Sequence, residues 1–196
     1  MRSLGILILL FVLTSCSSAP PVPTDRFYRL STPQNVNQSV VTEHIIYVGP
    51  IFAEGLYNER ALLYTGESGE TELQQYHYHF WITSPPRLMQ GQLVSYLRAV
   101  NSSSMVITEP GAGEKISIFG RLMSFERINM SDQASASVIV ELRVQEQDKA
   151  TPVLLKEYRV IEKLNGNTVP DAVAAFDRAV MKIYSDFQSD MQASLQ

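Results

Sequence analysis

The position of the chain's only cysteine constrains everything else. Cys16 follows Leu13-Thr14-Ser15 at the end of an apolar run, Leu4 to Leu13, which Arg2 precedes. A basic start, a short apolar stretch and small residues before a cysteine are the anatomy of a secretory signal with a lipoprotein processing site. The run is shorter than the about 20 apolar residues that span a bilayer core. We therefore expect residues 1–15 to be removed and Cys16 to become the first residue of the mature chain. Its sulfur would carry a diacylglycerol and its amine usually a further acyl chain. One acyl chain holds a protein to a membrane only marginally, whereas two or more hold it stably. A buried structural thiol or a catalytic thiol is the competing reading, and the signal preceding Cys16 argues against both. With this thiol consumed, no disulfide can form within the chain. The fold must come from packing alone.

Residues 16–25 are small and proline-rich, with Pro20, Pro21 and Pro23. Such a segment is extended, and at about 3.3 Å per residue it reaches no more than about 30 Å. Residues 26–196 are long enough for one domain with a substantial core. The 196-residue chain is 45 % hydrophobic and 18 % charged, with a formal net charge of −4. That balance is globular, and its acidity offers no electrostatic footprint for nucleic acid or for anionic headgroups, so the expected membrane link rests on the anchor and not on a basic face.

Periodicity supplies the elements. Short strands are expected at Phe27–Leu30 and Ala61–Tyr64. His44–Ile51 is a nearly continuous apolar run, closed or bent by Gly49-Pro50. Glu72–Ile82 alternates, which assigns Tyr76, Tyr78, Phe80 and Ile82 to a core face and Gln75, His77, His79 and Trp81 to a polar face. Ser84-Pro85 opens a helix on which Met89, Leu93, Tyr96, Leu97 and Val100 recur at helical spacing. Another apolar run follows at Met105–Thr108. Three strands come next, over Glu114–Glu126, Ser135–Gln145 and Val153–Leu164. The second points Ala136, Val138, Val140, Leu142 and Val144 inward and Ser135, Ser137, Glu141, Arg143 and Gln145 outward. Their short links imply an antiparallel meander. Thr168 and Asp171 bracket Pro170 as a capping box, ahead of a helix striped by Val173, Phe176, Val180, Ile183, Phe187 and Met191. The expected class is α/β: a mixed, mostly antiparallel sheet with two main helices in a single, three-layer-like domain.

Motifs for chemistry are scarce. Gly111-Ala112-Gly113 lacks the spacing and Lys-Ser/Thr pair of a phosphate loop, and no nucleophile elbow occurs. His77 and His79 could offer two ligands to a metal, but zinc needs three or four and His44 is the only other histidine. Glu67, Glu70 and Glu72 read as a solvated acidic loop, and Asp186 and Asp190 as the wet face of the last helix. We expect a non-enzyme with no cofactor and no metal.

Four ordered segments carry a resemblance. They are Tyr28-Arg29-Leu30 soon after the cysteine, the strand ending Val48-Gly49-Pro50-Ile51, Tyr57-Asn58-Glu59-Arg60 followed by Leu62-Leu63-Tyr64, and Phe80-Trp81-Ile82-Thr83-Ser84-Pro85 entering a helix. Together the chain resembles the ABC-type transport auxiliary lipoproteins, which include PqiC-like proteins. It departs from them at Asn58-Glu59, where Leu-Asp is commoner, and at Ile82-Thr83-Ser84-Pro85. The resemblance implies a three-layer α/β domain and an accessory role beside an MCE-domain protein, whose rings form lipid tunnels across the periplasm. It also implies that a homo-oligomeric ring can form to match such a partner. Ser17 and Ser18, in place of an Asp, imply the outer membrane by the enterobacterial sorting pattern. Within that picture, Trp81 on the polar strand face and Tyr57 and Arg60 in a loop are the partner-contact candidates. Each also has a domestic reading: a helix covering Trp81, or a loop latched to its own domain. The alternative functions are a carrier holding lipid between sheet and helix, and a cell-wall enzyme activator or assembly lipoprotein.

Overall fold

The computed structural model describes residues 22–33, 42–66, 71–100, 105–111, 113–129 and 133–195. The signal segment, Cys16, most of the tether, Glu67 and Glu70 lie outside these residues. Eight strands and two α-helices are described, in the order β1 (Arg26–Tyr28), β2 (Ile46–Ala53), β3 (Ala61–Thr65), β4 (Leu73–Trp81), α1 (Pro85–Val100), β5 (Val106–Ile107), β6 (Ile116–Ile128), β7 (Ser135–Glu146), β8 (Leu154–Lys163) and α2 (Val169–Ser194).

β6 is the spine of the sheet. β7 runs antiparallel along its whole length and β8 antiparallel along β7. On the other edge of β6, β2 pairs in parallel with the first half and β3 in parallel with the last residues. β4 and then β1 extend the sheet from β3, and β5 from β2. The longest ladders are antiparallel, as the short β6–β7 and β7–β8 links require.

The alternation of β7 decides which face is buried. Ala136, Val138, Val140, Leu142 and Val144 are all fully buried. Register places beside them Ile118 and Leu122 of β6 and Tyr158 of β8, and beyond β6 come Ile46 and Val48 of β2. Both helices cover this one face. α1 contributes Met89, Leu93 and Leu97, and α2 contributes Phe176, Val180, Ile183 and Phe187. The Tyr184 hydroxyl of α2 donates to the Met89 carbonyl of α1 at 2.7 Å, which joins the helices. The class is the expected mixed, mostly antiparallel sheet with two main helices. Both helices share one face of the sheet.

α2 begins as its sequence dictates. Asp171 N–H donates to Thr168 Oγ1, and Thr168 N–H donates to the Asp171 carboxylate. The Thr168 hydroxyl, at 2.6 Å, and the Thr168 N–H both donate to the Asp171 carboxylate and hold it below the usual carboxylate range. Its buried stripe is wider than the large residues alone suggest, because Ala172, Ala175 and Ala179 bring the helix close to the sheet. Asp186 is on the wet face, paired with Lys182. Asp190 is not: it accepts from Lys156 and Tyr158 of β8 and clamps the helix to the sheet edge.

Of the two readings of Gly49-Pro50, closing or bending the strand, bending holds: β2 shifts register against β6 between Val48 and Ile51 and continues to Ala53. Glycine is required there because a Cβ at position 49 would meet the Phe119 ring at 2.6 Å. Ser135 and Ser137 face away from the helices yet are buried, and Ser137 shares a 2.8 Å hydroxyl bond with Ser124 of β6.

Candidate docking surface at the root of the tether

β1 is an edge strand of three residues that follows the tether directly. It is held by a parallel pairing in which Arg26, Phe27 and Tyr28 face His79, Phe80 and Trp81. Ile82 N–H donates to the Tyr28 carbonyl at 2.8 Å, and the Tyr28 hydroxyl meets His79 Nδ1 at 2.8 Å. Aromatic contact adds to this pairing, with the Phe27 and Phe80 ring centroids 5.8 Å apart.

The expected faces of β4 do not survive. Tyr78 takes a left-handed φ of 62°, a conformation that L side chains adopt only under constraint. The register against β3 jumps there from Ala61↔Phe80 to Leu63↔Gln75. Two residues of β3 thus oppose five of β4, an offset of three, and an odd offset reverses which residues face the core. Tyr78 and Ile82 consequently stand 45 % and 51 % exposed, whereas Trp81 is 1 % exposed. The Trp81 indole packs edge-on against Phe125 and Phe176. It is a core residue under α2, not a surface anchor.

Arg60 and Trp81 are nonetheless brought together. Trp81 N–H donates to the Arg60 carbonyl at 2.7 Å, and Arg60 Nε donates back to the Trp81 carbonyl at 3.1 Å. The guanidinium lies 5.4 Å from the Phe27 ring centroid. Tyr57 sits apart, in a 3-10 turn over Gly55–Asn58. Its hydroxyl donates to the Glu126 carboxylate, and burial together with this bond raises the phenol's pKa well above the ordinary value. Both loop residues are therefore latched to their own domain. His77 and His79 form no metal site; among the described residues no group of three or more His, Cys, Asp or Glu is placed to hold a metal. Burial and the nearby Arg26 charge lower the His79 pKa.

What sequence reasoning missed is the apolar surface beside Arg60. Phe27 is 55 % exposed, and with Phe80 it lines a cleft of about 360 Å³ whose walls include Asp25, Glu59 and Arg60. A second groove of about 600 Å³ runs between the end of β2 and the start of α1, lined by Pro50, Phe52, Asn58, Arg87 and Val94. The detectable signal was a pair of aromatics in an edge strand next to a tether.

The model of the ABC-type transport auxiliary lipoprotein component family matches residues 28–186. The chain belongs to that family. As a member of it, this lipoprotein is periplasmic and membrane-anchored. Solved structures share its fold at low identity. A protein of Xanthomonas campestris, XCC0632, superposes with a TM-score of 0.76 at 12 % identity, covering 86 % of this chain and 95 % of its own. An uncharacterized protein gives 0.68 at 10 % identity, over 88 % and 99 % of the two chains. The hypothetical protein CT253 of Chlamydia trachomatis gives 0.51 at 8 %, over 76 % and 98 %. No curated protein matches the lipoprotein's sequence significantly.

Proposed function

We propose that this lipoprotein is held at the outer membrane through Cys16. There its domain serves as the docking subunit for an MCE-domain protein of an intermembrane lipid transport system. The observation that carries the reading is the family match over residues 28–186, taken with the lipoprotein signal that ends at Cys16. The partner meets the rim formed by the groove of Phe52 and Arg87 and the adjoining 3-10 turn of Tyr57. Phe52 is 64 % exposed there, and an exposed aromatic beside an arginine suits an interface anchor. Arg60 continues that rim toward the tether, and Trp81 supports it from the core. A ring of several copies would match the symmetry of a ring-forming partner.

Packing favours docking over lipid carriage. Met89, Leu93, Leu97, Ile183 and Phe187 fill the space between helices and sheet and are fully buried. Copurification after in vivo crosslinking tests the reading. An MCE-domain protein should be recovered with the wild-type lipoprotein and lost with Phe52→Asp. Recovery of a cell-wall synthase instead, with no MCE-domain protein, would support the activator reading.

A further inference from the structure

The root of the tether bears an apolar patch, next to Arg60 of the docking rim, that the docking function leaves unused. Phe27 and Ile82 are each more than half exposed, and Phe80 lies between them on the same side of the β1–β4 pair. Arg60 lies beside this patch, its guanidinium 5.4 Å from the Phe27 ring centroid, and Arg29, two residues on from Phe27, is exposed; Arg26 is paired with His79 on the opposite face. Asp25 and Glu59 are the acidic groups beside it. Large apolar side chains exposed together on a soluble face mark a contact site. Aromatics bordered by arginines suit the water–bilayer interface, where rings sit at headgroup level and guanidinium groups reach the phosphates.

Chain length selects the occupant. Ten residues separate Phe27 from Cys16, which at about 3.3 Å each reach no more than about 35 Å. Whatever membrane holds Cys16 is therefore the nearest apolar medium to this patch. No helix among the described residues is long and apolar enough to cross a membrane, so the contact is one of resting on the bilayer.

We propose that Phe27, Phe80 and Ile82, with Arg29 and Arg60 beside them, form a seating face. It inserts shallowly into the headgroup layer of the anchoring membrane and fixes the domain's orientation. The proposal rests on Cys16 being lipidated. An orienting contact matters because a flexible anchor alone leaves the docking rim free to point anywhere. Seating the tether root restricts it to one attitude.

The lipidated protein offers its own probe, because modification of Cys16 leaves no other thiol. Ile82→Cys and, as a distant control in the β7–β8 turn, Gln147→Cys are each labelled with an environment-sensitive fluorophore. The proteins are then reconstituted into phosphatidylethanolamine–phosphatidylglycerol vesicles carrying a quencher on the upper acyl chain. The seating face predicts blue-shifted, quenched emission at position 82, unshifted emission at 147, and loss of the shift at 82 when Phe27→Asp is added. Vesicle-bound protein with a wet label at 82 overturns the proposal and leaves the patch to a protein partner. Equal quenching at both positions, or a shift at 82 that survives Phe27→Asp, overturns it as non-specific adsorption or label-driven insertion. Failure to associate with vesicles at all overturns the lipid-anchor reading and this one with it.

Discussion

At the scale of single residues, Trp81, Gly49 and Tyr57 each serve the packing of their own domain. Trp81 is wedged between Phe125 and Phe176, and truncation of a buried aromatic costs about 3–5 kcal/mol. Trp81→Ala should therefore shift the denaturant midpoint sharply, whether or not a partner is present. A midpoint unchanged from wild type would contradict its place in the core. Gly49→Ala puts a methyl where the Phe119 ring lies at 2.6 Å, and crowding of this kind costs about 1–3 kcal/mol. Because Phe119 is on the open sheet face, the Ala variant should regain stability when Phe119→Ala is combined with it. Tyr57 carries a raised pKa through burial and its bond to Glu126, and burial raises Tyr184 as well. A raised folded pKa stabilises fully below the unfolded value, about 10 for tyrosine. That contribution disappears as pH climbs from there toward the folded value. Stability should thus decline above about pH 10, and Tyr57→Phe should make the decline shallower in pH-resolved unfolding.

Among elements, α2 and β7 are the ones most plainly written in the chain. Thr168-Val169-Pro170-Asp171 states a helix start in side-chain chemistry, and the capping box forms as read. Thr168→Ala should cost about 1 kcal/mol, read as a lowered thermal midpoint. The Asp171 carboxyl has a depressed pKa, so its contribution is present above the unfolded value and fades as pH falls through the folded one. The apolar positions of β7 alternate without interruption, and its five inward side chains are all fully buried. β4 was illegible for a definite reason. Its faces depend on three extra residues around Tyr78, and a bulge leaves no trace in an alternating pattern. A left-handed tyrosine is set by the pairing with β3, which lies outside the local window. The docking surface was half-legible in the same sense. Arg60 was visible as a loop residue, but its two bonds with Trp81, one backbone and one from its guanidinium, and the exposure of Phe27 and Ile82, follow from the strand pairing. Ser137 is buried rather than wet because its hydroxyl bonds to Ser124 of β6, and Ser135 is buried beside it on the same face.

For the whole molecule, one sheet with two helices packed on it makes the described domain, and the proline-rich residues 16–25 join it to Cys16, the anchor we propose. Among the described residues, exposed aromatics lie at the tether root and at the adjoining groove. We propose that placement at a membrane is the contribution the molecule makes. The direct test is to deliver residues 17–196 to the periplasm behind an ordinary cleavable signal, so that the domain is folded and present but carries no lipid. In a deletion strain with a leaky envelope, measured by uptake of a normally excluded dye, this form should fail to restore the barrier that the lipidated protein restores. Full restoration by the unlipidated domain at equal abundance would contradict the account.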